Sequence, residues 1–227
     1  MPRGQNQKLK LYYLAKIMLE KTDDDHYLTM PEILEALRSY EVTADRKSTY
    51  TDLKDLELLG IEVEGEPWGR SYRYHVVGRQ FEMPELKLLV DAIQSSRFIT
   101  AKKSNELIRK LESLVSEYEA RELQRQVYVS GRIKTMNESI YYTVDAIYSA
   151  IASNRKILFQ YFQWNAKKEM ELRHGGAVYK ISPWGLAWDN ENYYLVGYDS
   201  EADMIKHYRV DKMLRIRMSD EEREGRG

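Results

Sequence analysis

Two groups of side chains in this sequence have the types and spacing to do chemistry. Lys47, Tyr50, Thr51 and Lys54 lie at i, i+3, i+4 and i+7, with Arg46 beside them, so on a helix they share one face. That face carries cations, hydroxyls and an aromatic ring. It suits a DNA major groove, where Arg and Lys meet guanine acceptors or phosphates and hydroxyls adapt to either; an ordinary solvated helix face is the competing reading. The second group lies in Ile205–Asp211, which read as a strand sends His207, Arg209 and Asp211 to one side and Tyr208 and Val210 to the other. The arginine offers a planar fork for phosphate or carboxylate. Its competitor is a structural Arg209–Asp211 ion pair at a strand end. No catalytic constellation stands beside these: His26, His75, His174 and His207 lack metal-ligand spacing, no glycine loop cradles phosphate, and Asp23-Asp24-Asp25 reads as a solvated turn. The chain is therefore expected not to be an enzyme and to need no cofactor or metal.

The first group needs a scaffold, and the flanking sequence predicts one. Residues 8–20 place Leu11, Leu14, Ala15 and Met18 at helical spacing, with Lys8, Lys10 and Lys16 for the outer face. His26-Tyr27-Leu28 reads as a short strand. Thr29-Met-Pro-Glu32 has the form of a capping box opening a second helix that buries Ile33, Leu34 and Leu37. Thr43 is the expected cap of a third helix reaching Gly60, with Thr49, Leu53, Leu56 and Leu59 inward. Ile61–Glu64, a turn at Gly65–Gly69, and Arg70–Val76 then make a β-hairpin. From that hairpin Arg70 and Arg73 reach phosphates, and Trp68 is expected to pack against the helices.

Residues 84–99 and 103–119 read as two more amphipathic helices, lined by Leu86, Leu89, Val90 and Ile93 and by Leu107, Leu111, Leu114 and Tyr118. They serve as a connector, a dimerisation surface or a layer packed on the first helices. A helix at 138–152 follows, carrying Ile140, Val144, Ile147 and Ile151, and then strand signals at Lys156–Trp164, Glu169–Arg173, Ala177–Ile181, Gly185–Trp188, Tyr193–Tyr198 and Ile205–Val210. Short strands with brief turns predict a small, strongly bent sheet or barrel.

Composition bounds the function. The 227 residues contain no cysteine, which fits a reducing compartment. The N-terminus lacks the apolar stretch of a signal peptide, and no apolar run approaches the ~18 residues of a membrane span. A soluble, cytoplasmic protein with no membrane partner is expected. The net charge is −1, and residues 1–78 carry 11 basic against 14 acidic side chains, so any DNA contact rests on a local surface rather than on bulk attraction.

Two resemblances sharpen this. V-T-A-D-R-K-S-T-Y-T-D-L-K-D-L-E-L-L-G-I resembles the recognition-helix segment of DeoR-like winged helix-turn-helix regulators, matching at Asp52-Leu53 and Gly60-Ile61. The resemblance implies that Arg46, Lys47, Ser48, Tyr50, Thr51 and Lys54 face DNA. Y-K-I-S-P-W-G-L-A-W-D-N-E-N-Y-Y-L-V-G-Y-D followed by H-Y-R-V-D-K-M resembles the WYL domain over residues 138–218, with Tyr193-Tyr194-Leu195 in place of the naming triplet. That implies an Sm- or SH3-like β-barrel and a pocket for a negatively charged or nucleotide-like ligand, here at Ser182, Tyr194, Tyr198, His207 and Arg209. Such domains commonly follow DeoR-like winged helices and continue into a C-terminal extension, in whose place residues 219–227 read as a polar tail.

The expected architecture is α+β and multi-domain: a winged helix-turn-helix over 1–78, a helical connector over 79–137, and a WYL domain over 138–218. The expected function is a homodimeric, ligand-responsive regulator binding double-stranded DNA. The alternative is a defence-associated accessory protein whose WYL domain senses single-stranded nucleic acid.

Overall fold

The computed structural model describes residues 7–124 and 139–225. Residues 1–6 and 226–227, the part of the expected connector at 125–137, and Glu138 at the start of the expected WYL domain lie outside the described residues. The chain is a mixed helix and sheet protein that forms two compact units: residues 7–95 with 104–124, and residues 96–103 with 139–225. No described helix is long and apolar enough to cross a membrane.

The first unit opens with α1 (Lys10–Lys21), β1 (Leu28–Thr29), α2 (Met30–Ser39), α3 (Arg46–Asp55), β2 (Glu62–Trp68) and β3 (Ser71–Val77). Leu14, Ile17 and Met18 of α1, Ile33 and Leu37 of α2, Leu53 and Leu56 at the end of α3, and Val76 of β3 bury together. Lys10 does not join the outer face as expected. It is buried, its ammonium donating to Ser48 Oγ at 2.7 Å and pairing with Asp52, which ties α1 to one flank of α3. The capping box of α2 forms, with Glu32 accepting from the Thr29 amide at 2.7 Å.

Asp45, not Thr43, caps α3: its carboxylate accepts from the Ser48 amide at 2.9 Å and the Ser48 hydroxyl at 2.6 Å. After Asp55 the chain tightens into a 3-10 turn, Leu56–Leu59, closed by Gly60 at φ 76°. Three residues per turn cannot keep a 3.6-residue stripe inward. Leu56 is buried, whereas Leu59, expected inside, is exposed.

The sheet order is β1-β3-β2, and the hairpin turns later than expected. β2 runs on through Gly65 to Trp68, which pairs with Ser71, leaving Gly69-Arg70 as a two-residue loop. Gly69 at φ 61° supplies the positive angle such loops require. Gly65 survives inside a strand because the Tyr74 ring lies across it: a Cβ there would come within 2.8 Å of that ring. Pro67 is tolerated because β2 is an edge strand.

α4 (Met83–Ser95), α5 (Ala101–Glu112) and α6 (Glu117–Leu123) surround a smaller core of Leu86, Val90, Ile108, Val115 and Leu123. The single helix expected over 103–119 is broken, because Ser116 opens α6 with its own capping box to Glu119. The break turns Leu114 outward and buries Val115 instead; Leu89 of α4 is likewise exposed. Asp23 is no solvated turn residue. It is buried, and accepts from the Ser116 hydroxyl, from the His26 amide at 2.9 Å and from His26 Nδ1 at 2.7 Å.

The second unit contains α7 (Ile140–Ala152), β4 (Arg155–Trp164), β5 (Met170–Leu172), β6 (Tyr179–Asp189), β7 (Asn192–Asp199), β8 (Met204–Arg209) and β9 (Met213–Glu222). All pairings are antiparallel, in the order β5-β4-β6-β7-β8, with β9 also on β4. The two strands expected at 177–181 and 185–188 are one strand, β6, bulged between Pro183 and Gly185. β9 runs on into the expected polar tail and takes its first residues, 219–222. The core gathers Ile147 and Ala150 of α7 with Ile157, Phe159, Ile181, Leu195, Tyr208, Val210 and Met213.

Gly197 marks the tightest point, where an added Cβ would sit 2.4 Å from Ile181 Cγ2 and 3.2 Å from the Ser182 carbonyl oxygen. Gly197→Ala is expected to destabilise this unit by about 1–3 kcal/mol through overpacking, read as a lower urea midpoint at unchanged slope.

Candidate functional site

The α3 surface comes first. Arg46, Lys47, Thr51 and Lys54 are exposed along one side of the helix, and Tyr50 is half-buried. Arg46 Nε donates to the Tyr50 hydroxyl at 3.0 Å, and the Tyr50 ring meets Tyr74 edge-on at 6.3 Å. Burial pushes the Tyr74 phenol up to about 12, while the Arg46 hydrogen bond draws Tyr50 below its usual value. Ser48 leaves this group: its hydroxyl is spent on Lys10 and Asp45. The four exposed donors therefore stand on a helix whose other flank is locked by a buried ammonium.

On the hairpin the two arginines part company. Arg70 is exposed at the tip. Arg73 is not a free cation: it pairs with Glu66, and its guanidinium lies between the rings of Tyr27 at 3.8 Å and Trp68 at 4.3 Å. Trp68 accordingly stacks on Arg73 with 56% of its surface exposed, rather than packing on the helices. The groove between α3 and the hairpin, about 500 Å³, carries Tyr50, Lys54, Tyr72 and Tyr74 but also Glu57, Glu62 and Glu64.

The β7–β8 ladder brings the other group together. Tyr194 pairs with Arg209, Val196 with His207, and Tyr198 with Ile205. Paired residues point to the same side of a sheet, so Tyr194, Tyr198, His207 and Arg209 share one face while Leu195 and Tyr208 enter the core. The expected strand to Asp211 stops at Arg209, where a 3-10 turn, Val210–Lys212, curls the chain back. Asp211 then grips Arg209 through both oxygens at 2.9 and 3.0 Å, and Asn192 Oδ1 accepts from the same guanidinium at 2.9 Å. The ion pair weighed against ligand binding is thus present, and it orients an arginine whose side chain is 36% exposed.

Ser182 is withdrawn from the site. It is buried and its hydroxyl accepts from the Glu224 amide at 2.9 Å, because the residues after β9 fold back to it. Tyr198 donates to Asp203 at 2.6 Å. Three residues at this end of the sheet were not singled out from the sequence: Asn192, Arg97 and Phe98. Asn192 sat in a turn signal, and Arg97-Phe98 fell at the end of a helical pattern, so nothing in the spacing marked them.

Residues 142–218, from α7 to β9, match the family model of the WYL domain. This stretch is a WYL domain. The rest of the WYL unit described above, residues 96–103, 139–141 and 219–225, lies outside that match. Among solved structures the chain is similar to proteasome accessory factor B/C (PafBC) of Arthrobacter aurescens, at 18% identity and a TM-score of 0.33, over 93% of this chain and 31% of that one. The chain thus spans about a third of that protein's length. No curated protein matches it.

Proposed function

We propose that the chain is a ligand-responsive, sequence-specific DNA-binding transcriptional regulator that works in the cytoplasm as a homodimer. In this reading α1–α3 and the β2–β3 hairpin form a DeoR-like winged helix-turn-helix. The WYL domain, its sheet wrapped as a small barrel, senses a negatively charged or nucleotide-like ligand through Tyr194, Tyr198, His207 and Arg209. No catalytic activity is assigned. One observation carries the reading: Arg46, Lys47, Thr51 and Lys54 stand exposed on one side of α3, with the opposite flank fixed by Lys10. A helix so anchored presents its donors at fixed spacing, which base-edge recognition needs and a loosely held helix does not give.

The test is binding to duplex DNA from the gene's own upstream region against a shuffled duplex at physiological salt. Lys47→Ala and Lys54→Ala are each expected to weaken binding to the upstream duplex by roughly 1–3 kcal/mol if they read bases. A phosphate contact would instead lower affinity for both duplexes and reduce the salt slope by about one. Equal affinity for both duplexes in the parent protein overturns the reading.

A second reading draws on the groove beside α3. Glu57, Glu62 and Glu64 place negative charge next to the helix that would meet phosphate, which favours a nucleic-acid-sensing accessory protein whose first unit contacts protein and whose WYL domain binds single strands. Tight binding of short single strands without duplex preference would select it.

A further inference from the structure

We infer that Arg97 and Phe98, which lie outside the WYL match, form with Tyr193 and Arg209 a ligand pocket that shares only Arg209 with the face described above, and that its occupant is a small planar aromatic anion. The inference rests on the sensor half of the reading above and adds to it the residues that select the ligand and a route by which its presence is felt.

Residues 96–100 join α4 to α5, and together with the first three residues of α5 they fold with the WYL domain. Three contacts hold them there. Phe98 lies edge-on to Tyr193 at 4.8 Å and to Trp188 at 5.7 Å, and those two rings meet each other at 4.5 Å. Arg97 faces Glu191 at 3.6 Å. Lys103 stands 4.8 Å over the Tyr141 ring. The segment therefore lies on the domain as a strap with an aromatic anchor.

Under the strap is a pocket of about 230 Å³ whose lining includes Arg97, Phe98, Tyr193 and Arg209, and the carboxylate side chains Glu191 and Asp211 that pair with the two arginines. Arg209 is already aimed by Asp211 and Asn192, so its fork is ordered before any ligand arrives. Arg97 is the opposite case: 60% of its side chain is exposed and its partner sits beyond hydrogen-bond range. Such a loosely held guanidinium exchanges a distant carboxylate for a ligand anion at little loss. Phe98 and Tyr193 supply ring faces and edges.

Size restricts the class. Pockets for drug-sized ligands begin near ~300 Å³, so this one holds one ring system and one anionic group, with two arginines for the anion. That chemistry has two sources: a free aromatic acid, or the terminal nucleotide of a single strand. Because the strap is continuous with α4 and α5, an occupant gripped by Arg97 and Phe98 orders the connection between those helices, whereas one held by Arg209 alone does not.

The test titrates the full chain with benzoate, with cytidine 5′-monophosphate and with a short 5′-phosphorylated thymidine strand, following tryptophan fluorescence. Saturable binding of at least one probe is expected in the parent and in Arg217→Ala, which removes an exposed arginine elsewhere in the domain. Arg97→Ala and Phe98→Ala are each expected to weaken it about tenfold or more, the loss of one good contact. Phe98→Leu, which keeps apolar bulk without the ring, is expected to fall between. Hydrogen exchange should slow at residues 96–103 when the probe binds.

Benzoate binding with no effect of the phosphorylated strand assigns the free-acid source, and the reverse assigns the strand. If Arg209→Ala abolishes binding while Arg97→Ala and Phe98→Ala bind as the parent does, the strap has no part in the site and the inference is wrong, though the sensor reading stands. If no probe binds, the ligand class is wrong. Loss of operator preference in the separate duplex assay, with probe binding intact, would sink the regulator reading alone.

Discussion

Lys10→Ala is expected to cost the first unit about 3 kcal/mol, the low end of the range for removing one partner of a buried ion pair. The estimate sits at that end because the Asp52 side chain keeps 23% exposure, so water offsets part of the stranded charge. The measurement is urea unfolding, with a lower midpoint and little change of slope. The double substitution Lys10→Ala with Asp52→Ala distinguishes charge from packing: it should recover much of the loss, since neither charge is then left unpaired. A Lys10→Ala protein as stable as the parent would show that this ammonium is not holding α3. Affinity for the upstream duplex should fall with stability in the single variant, because Ser48 and Asp52 are the points at which α1 grips the helix.

The other large effect is expected at the far end of the chain. Lys156 is buried to 4% side-chain exposure and meets Glu224 at 2.7 Å and Glu221 at 3.1 Å. The same segment caps Ser182, accepts from Trp184 Nε1 at 3.1 Å, and sends Arg223 to the Pro183 carbonyl at 2.8 Å. Ending the chain after Ser219 removes every one of these partners, and with Glu221 and Glu224, themselves about half-exposed, it removes the cover over the ammonium. At about 0.5–1.5 kcal/mol for each of these hydrogen-bonded contacts the expected loss is roughly 2–5 kcal/mol, enough to lower the Tm of a unit this size by about 10 °C or more. The unshortened Lys156→Met protein should stay within about 1 kcal/mol of the parent, because the two glutamates it leaves are 49% and 54% exposed and water solvates them.

The same cluster sets a pH dependence. Hydrogen bonds from Lys180 and Lys156 hold Glu221 below its ordinary value, and the bond from Lys156 does the same for Glu224. A carboxylate depressed on folding contributes stability that is present above its unfolded pKa and is lost as pH falls through its folded one. Lys156 is raised, chiefly by Glu224, so its charge persists through that range. The unit should thus weaken as pH falls below ~4.5, and Glu221→Gln with Glu224→Gln should flatten the response.

The sequence made the helix–helix–helix–hairpin order legible because each element begins with local chemistry: the Thr29–Glu32 box, the glycine after Leu59, the alternation in Ser71–Val77. What it hid was of two kinds. Lys10 reads as a surface residue because its partners, Ser48 and Asp52, lie about forty positions away, and no local period reports a long-range ion pair. The α5–α6 break was readable in principle, since Ser116-Glu-Tyr-Glu119 is itself a capping box, but the apolar spacing of Leu107, Leu111 and Leu114 ran through it. At the WYL face, alternation placed His207 and Arg209 together correctly and then carried one turn too far to Asp211. Ser182 was lost for another reason: Met213–Glu222 alternates too weakly to announce a strand, and it is the segment following that strand that reaches the serine.

The free edge of β2 has a consequence for how copies of this protein behave in concentrated solution. An unpaired strand edge is a template on which a second chain can add a strand. Here Glu62, Glu64 and Glu66 recur at alternate positions along it, and Pro67 removes a donor near its end. Two such edges approaching one another would bring like charges together and find a gap in the hydrogen-bond ladder. Glu62 and Glu64, which make the surface beside α3 an awkward neighbour for phosphate, also help keep one hairpin from extending another's sheet.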